Sequence, residues 1–306
     1  MHVVSFMFML FSARRTLPTP FAEITRMQQE CGKPWGKFLD AGTGLHSMKW
    51  VSSRGRSGGL DSNEDPVGGL ESWCGVTASW EDAQKIRQDP QVSGVMQDSD
   101  SVVLGNWDDP DLLKGMTFDT VLADYLIGAM DGFSPYKQDL MLPRLKQHMA
   151  PGARLYIIGL EPLPDKSQNP AEDIVCEVRR VRDACILLAG HRCYREFPLE
   201  WTERHLTGSG FRVVESKKLP IMYSFQSIKR QIDVASRKLP FFKDKALVSV
   251  MRQHIDQLTE RVREAVSSTP NSRVRLGFDY IISAEVSETN ENIQAGPPVC
   301  FDVSQT

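Results

Sequence analysis

The chain has no C-x-x-C pair. Its six cysteines, Cys31, Cys74, Cys176, Cys185, Cys193 and Cys300, are scattered singly. That excludes a zinc ribbon or a thioredoxin-type redox centre and fits a reducing compartment, where thiols act as small apolar side chains. There is no basic excess: 36 Lys and Arg stand against 39 Asp and Glu, a net charge of −3. A protein built to coat nucleic acid usually carries a clear positive balance. Glycine (22) and proline (18) are too sparse for a collagen-like chain, and 41% hydrophobic residues supply ample apolar surface for a packed core. No internal repeat is present. No apolar run reaches the roughly 20 residues that a membrane helix needs. The longest, Met1 to Phe11, precedes Arg14-Arg15 and has the length of a signal-peptide core without a basic segment before it. It is open to three readings: a targeting segment, a buried or interfacial arm, or an upstream extension. A cytoplasmic location is expected.

What is present is an alternation of strands and helices. The 306 residues accommodate two domains of about 150 residues or one α/β domain with additions. Phe21 to Cys31 has the spacing of an amphipathic helix. A short strand ends in Asp40-Ala41-Gly42-Thr43-Gly44, and Leu45 to Val51 is helical. Residues 52–72 are loop by composition and long enough to suggest a mobile insertion. Trp73 to Ala78 is a strand, and Ser79 is the N-cap candidate of a helix from Glu81 to Gln88. Ser101 to Leu104 and Phe118 to Ala123 are strands. Tyr136 to Met149 is a helix that Pro151-Gly152 closes, and Leu155 to Leu160 is a buried strand. Asn169, Pro170 and Glu172 open a helix that Gly190 ends. Glu200 to Leu206 is helical, Gly210 to Val214 turns into a strand, and Tyr223 to Lys238 and Lys243 to Ser267 are helices broken at Pro240. Leu276 to Val286 is a last strand. Residues 287–306 are polar and read as a flexible tail. Strands alternating with helices imply βαβ units and a parallel sheet.

The strand ending in Asp40 and running into Gly42-Thr43-Gly44 is the most informative segment. Glycine lets a ligand approach the backbone, and the next helix points its N-terminus at the same place. Position 47 is Ser, so the third glycine of a dinucleotide fingerprint is missing, and there is no P-loop lysine. An acid at the strand end favours a cationic or polar ligand over a pyrophosphate. Alone, the turn is equally well a plain tight turn after a strand.

In order and spacing, five segments resemble the class I S-adenosylmethionine-dependent methyltransferases. They are Asp40-Ala41-Gly42-Thr43-Gly44, Leu104-Gly105-Asn106-Trp107-Asp108, Phe118 to Tyr125, Pro151 to Ile158, and Gly210-Phe211-Arg212-Val213. The likeness runs from about Trp35 to Leu160 and more loosely to Val286. It implies a Rossmann-like, mostly parallel seven-stranded sheet with helices on both faces, an antiparallel last strand, and a helical insertion at about 223–268 before that strand. The domain would span 21–286, with 1–20 as an extension. It also implies S-adenosylmethionine as cofactor, with Asp40, Ala41, Gly42, Thr43 and Gly44 around its methionine part, Asn106 and Trp107 beside the adenine, and Asp124 near the transferred methyl. One position departs from the family: Thr77 stands where an acid usually binds both ribose hydroxyls. Either Glu81 or Asp82 reaches back to the ribose, or affinity is reduced.

Candidate catalytic residues are Asp124, as a proton acceptor or amine ligand, Tyr125, and His191 in the run His191 to Pro198. Asp124 equally fits a helix cap, and the run around His191 fits a salt-bridged loop. Asp131 to Tyr136 has the composition either of a pocket wall or of a plain connection. The Asn-Pro-Pro-Tyr signature of amino methylation on bases and Gln side chains is absent. Lys229, Arg230, Arg237, Lys238, Lys243 and Lys245 form a basic stretch, which is either a docking face or a solvated helix surface. The expected function is methyl transfer to a small molecule, with no metal, no membrane span and no nucleic-acid partner. A non-catalytic scaffold and a protein or RNA methyltransferase remain alternatives.

Overall fold

The computed structural model describes residues 18–57 and 65–287. Residues 1–17 and 288–306, which carry most of the N-terminal extension and the expected tail, lie outside it, as do 58–64 of the expected insertion. Seven strands form one sheet: β1 (Gly36–Asp40), β2 (Leu70–Thr77), β3 (Ser101–Leu104), β4 (Phe118–Asp124), β5 (Met149–Leu160), β6 (Phe211–Tyr223) and β7 (Val274–Val286). Their spatial order is β3-β2-β1-β4-β5-β7-β6. The pairs from β3 to β5 are parallel, and β7 runs antiparallel to both of its neighbours, β5 and β6.

Among the described residues ten α-helices accompany the sheet: α1 (Pro20–Cys31), α2 (Leu45–Ser52), α3 (Trp80–Gln88), α4 (Pro90–Ser93), α5 (Leu126–Ala129), α6 (Gln138–Lys146), α7 (Pro170–Leu188), α8 (Leu199–Gly208), α9 (Phe225–Lys238) and α10 (Lys245–Ser267). The period-2 alternation of the strands divides the core. Leu39, Val121, Leu155 and Ile157 face one side, where α5, α6 and α8 pack through Leu126, Leu142, Leu145 and Leu206. Phe38, Leu122, Tyr156 and Ile158 face the other, against Ile24 and Met27 of α1, Met48 and Val51 of α2, and Ile86 of α3. A third core joins α7, α9 and α10 through Val178, Ile232 and Leu258, and reaches the sheet at Val274 and Leu276 of β7. Here α9 and α10 are the helices expected between the last two strands. Among the described residues no helix is long and apolar enough to cross a membrane.

Three boundaries differ from the sequence reading, each for a physical reason. Pro151-Gly152 does not close the preceding helix. That helix ends at Lys146, and the Pro-Gly pair lies inside β5, where pairing to β4 shifts register between Phe118 and Thr120 and Gly152 takes φ +74. β6 runs on from Val214 to Tyr223 through Lys217, Lys218 and Pro220. Such residues are poor in a central strand, but β6 is the sheet edge, where lysine and proline are tolerated. Finally, β2 starts at Leu70, inside the stretch read as loop, and Arg56 bridges to Leu70. The caps fall as expected: Ser79 Oγ accepts from Asp82 N–H at 3.2 Å, and Asn169 Oδ1 from Ala171 N–H at 2.9 Å.

Candidate functional site

Strand order reverses between β1 and β4, so the chain leaves these neighbouring strands in opposite directions and opens a crevice at their carboxyl ends. Asp40 closes β1 and Asp124 closes β4. The turn after Asp40 is pinned to both flanking strands. Ala41 N–H donates to Leu122 O and Thr43 N–H to Val76 O, each at 2.8 Å. The result is a cavity of about 260 Å³ lined by Ala41, Gly42, Thr43, Gly44, Thr77, Asn106, Trp107 and Asp124, with Leu126, Met130 and Phe133 as apolar wall.

The two glycines of the turn do different work. A Cβ on Gly42 would come within 2.9 Å of Leu126 Cδ1, so this glycine serves the packing of α5. A Cβ on Gly44 would meet nothing within 4 Å, and this is the position that leaves the backbone open to a ligand.

The carboxylates give the cavity its electrostatics. Asp40 is fully buried, and neither carboxylate oxygen has a hydrogen-bond partner; Asp124 Oδ1 is buried and unpartnered as well. Burial pushes Asp40 up to about 6, against the pull of the nearby Thr43 and Ser47 hydroxyls and the Gly42 N–H. Burial, then the charges of Asp40 and Asp124's other acidic neighbour Asp279, push Asp124 up to about 7. Asp124 is not a helix cap, because α5 begins from Tyr125 without a side-chain cap hydrogen bond. Tyr125 itself sits at φ +49, a left-handed conformation costly for tyrosine. It is held there by its N–H on Ile158 O at 2.9 Å and by its hydroxyl, which donates to Asp279 Oδ1 at 2.8 Å.

The β3 loop braces the turn. Trp107 Nε1 donates to Ala41 O at 2.6 Å while its ring lines the cavity. Asn106 Oδ1 accepts from Ser134 Oγ at 2.7 Å and ties this loop to the one after α5. Thr77 lines the cavity, but its hydroxyl already accepts from Ser79 N–H at 3.2 Å. Of the two acids weighed for the ribose, Asp82 lines the cavity and Glu81 does not.

His191 is not brought to this site. It is exposed, its Nδ1 lies 2.9 Å from Lys238 Nζ, and its ring lies tilted against that of Phe241. The run it belongs to does reach the site through other residues. Tyr194 lines the first cavity and also a second, larger one of about 570 Å³. That second cavity takes Asp131 and Tyr136 from the loop after α5, Leu160 from β5, Val178 and Arg182 from α7, Glu196, and Tyr223 from β6. Sequence reading missed Glu196, Tyr223 and Asp279 because no local pattern marks them; only the fold brings residues so far apart together. The basic stretch is partly spent within the fold: Lys229 pairs with Asp233 at 2.5 Å, and Lys245 donates to Phe242 O at 2.9 Å.

No family model matches the chain, and no curated protein matches it. Solved structures do. YcgJ from Bacillus subtilis is 15% identical and covers 89% of this chain and 99% of its own, with a TM-score of 0.50. BH2331 from Bacillus halodurans C-125, a provisionally assigned methyltransferase, is 12% identical over 87% of this chain and 100% of its own, with a TM-score of 0.51. A third, the SAM-dependent methyltransferase from Thiobacillus denitrificans in complex with S-adenosyl-L-homocysteine, is 13% identical over 90% and 95%, with a TM-score of 0.44. At these identities the likeness is one of fold. The chain has the Rossmann-like fold of the class I S-adenosylmethionine-dependent methyltransferases.

Proposed function

We propose that the protein transfers the methyl group of S-adenosylmethionine to a small molecule seated in the larger cavity. The observation that carries this is Asp124, which lines the smaller cavity with its buried Oδ1 unpartnered, backed by the second buried carboxylate, Asp40, beneath the turn. Unpaired buried carboxylates are costly, and a ligand that brings positive charge offsets that cost. S-adenosylmethionine carries an ammonium and a sulfonium, so the donor set fits the group. Asp40 and Asp124 would balance its charge, the backbone at Thr43 and Gly44 would hold its methionine part, and Leu126, Met130, Phe133 and Trp107 would enclose its adenine. When bound, the cofactor supplies an activated methyl carbon. The protein's task is then to align an acceptor with it and to exclude water.

Thr77 supports a second reading, a non-catalytic relative that has lost tight cofactor binding, because its hydroxyl is already engaged by Ser79. Against that stands Asp82, a carboxylate on the same wall, to which we assign the ribose hydroxyls. Calorimetric titration separates the two readings. Micromolar binding of S-adenosylmethionine and S-adenosylhomocysteine, no binding of NAD, and a loss of at least tenfold in Asp40→Asn support the transferase. No binding to folded protein leaves the scaffold reading in place.

A further inference from the structure

We propose that the larger cavity receives an amine on an apolar body, and that Glu196 binds the amine nitrogen and takes its proton. The proposal rests on the methyl-transfer reading above and names its acceptor class.

The charges lining the cavity are unevenly spent. Its arginines are committed: Arg179 to Asp165 at 2.7 Å, Arg182 to Asp183 and to Gln231 Oε1, both at 2.7 Å, and Arg192 to Asp131 at 3.4 Å. Arg195 is mostly solvent-exposed, with Asp131 at 4.0 Å. Glu196 lines the same cavity and has no hydrogen bond or salt bridge among the described residues. Its carboxyl packs on α5 at Gly128, where a Cβ would meet Oε2 at 2.7 Å. Helix α5 follows directly on Asp124-Tyr125 and supplies Leu126 and Ala129 to the cofactor-side cavity. The free carboxylate therefore stands on the wall that the two cavities share, beside Tyr194, which lines both.

The surroundings suit a cation. Tyr194 and Tyr223 line the cavity with aromatic rings, while the ring of Tyr136 is already taken by Arg192, whose guanidinium carbon lies 5.2 Å from its centre. The charged and titratable groups that bear on Glu196 are Asp279 and Tyr280 from β7, Arg182 and Asp183 from α7, Tyr125 at the start of α5 and Tyr223 from β6. Apart from the paired Arg182, each is acidic or an acceptor-capable phenol. Leu160, Leu163, Val175, Val178 and Ile228 form the remaining wall and call for an apolar body behind the nitrogen. An acceptor carboxylate would meet Glu196 as a like charge.

The chemistry balances. An ammonium gives one proton to the Glu196 carboxylate and exposes its lone pair. That lone pair forms the new C–N bond as the methyl's bond to sulfur breaks, and the sulfur keeps the electron pair. The proton on Glu196 passes to solvent when the product leaves. Burial pushes Glu196 up to about 7, so the carboxyl can hold this proton near neutrality.

The test uses the whole protein, first titrated with S-adenosylhomocysteine, and then, with that compound present at saturation, with phenethylamine, N-methylphenethylamine, 2-phenylethanol and 3-phenylpropanoate. The amines are expected to bind at least tenfold tighter than the alcohol and the carboxylate. In Glu196→Gln that preference should fall at least tenfold while S-adenosylhomocysteine affinity stays within twofold, which also reports that the variant is folded. Glu196→Asp should recover part of the preference. Equal or better binding of the alcohol or carboxylate, no binding of any of the four, or an unchanged preference in a folded Glu196→Gln overturns the proposal. Failure of S-adenosylhomocysteine to bind is a separate result and counts against the methyl-transfer reading instead.

Discussion

The two cavities are built on different principles. The smaller is made of strand ends: Asp40, Thr77 and Asp124 stop β1, β2 and β4 along one edge of a parallel sheet, and backbone hydrogen bonds between those strands fix the turn. The larger is made of helices and connections: α7, α9 and the 192–196 segment close it over the ends of β5 and β6. A sheet edge holds charge in a rigid frame, suited to a ligand that never changes. A helical cover rests mainly on side-chain packing and side-chain hydrogen bonds and can be re-cut for a different acceptor without touching the sheet.

If that division is right, damage to the cover should leave cofactor binding intact. Leu258 of α10 is 1% exposed in the third core, packed with α7 and α9, and itself lines neither cavity. Leu258→Ala should lower the unfolding free energy by about 2–5 kcal/mol, as such truncations do. It should also weaken the amine panel several-fold and change S-adenosylhomocysteine affinity by less than twofold. Denaturant melts paired with both titrations would measure this. A comparable loss of cofactor affinity would mean that the two regions are one cooperative unit and would break the comparison.

The reverse asymmetry is sharper at Asp124, where function and stability should pull apart. Truncating one member of a buried charge pair costs roughly 2–4 kcal/mol of binding, so Asp124→Asn should weaken S-adenosylmethionine by roughly 30- to 700-fold. In the wild type, a cationic ligand selects the ionised carboxylate. Affinity should therefore rise with pH through about 7, where Asp124 loses its proton, and level off above it. Stability has the opposite sign. The folded protein holds a proton on Asp124 up to about 7, and the unfolded chain only to the ordinary aspartate value of 3.8. The folded state thus binds more protons between these values, and stability falls as pH rises through that window. Asp124→Asn removes the penalty. It should raise the unfolding free energy by about 4 kcal/mol at pH 8 and leave it nearly unchanged below pH 4. Guanidinium melts at the two pH values would read this out. A variant no more stable at pH 8 would mean that water or protein groups already satisfy the carboxylate.

The same contrast governs what could be read from the sequence. The cofactor-side cavity is written in contiguous residues: Asp40 to Gly44 is one turn, Asn106-Trp107 one loop, Asp124-Tyr125 one strand end. Local chemistry, glycine beside an acid at a strand end, marks such a place whatever the rest of the chain does. Glu196, Tyr223 and Asp279 carry no local mark. Asp279 lies in the middle of an apolar strand, Tyr223 ends an edge strand whose lysines and proline hide its strand character, and Glu196 sits in a polar connection where His191 looked the better chemist. Two of the three misread boundaries, those of β5 and β6, have one cause. Proline and lysine mark breaks in a strand or helix of average surroundings, and here an edge position and a bulge accommodate them.

The smallest effect lies inside the turn itself, between two glycines that look alike in sequence. At Gly42 a methyl group would press on the Leu126 side chain, with its Cδ1 at 2.9 Å and its Cβ at 3.1 Å, so α5 must give way. Gly42→Ala should cost about 1–2 kcal/mol of stability through overpacking and disturb the smaller cavity, which Leu126 and Ala129 of α5 line. At Gly44 φ is −122 and the space beyond is open, so alanine is sterically free. Its only structural cost is a poorer N-cap, a few tenths of a kcal/mol. Gly44→Ala should then fold like the wild type and weaken S-adenosylhomocysteine by roughly three- to tenfold, through about 0.7–1.4 kcal/mol of lost contact, with amine preference untouched. Thermal melts beside the two titrations decide it. If Gly44→Ala binds the cofactor as tightly as wild type, the open space at that glycine is not where the ligand meets the backbone, and the turn's role reduces to packing at Gly42.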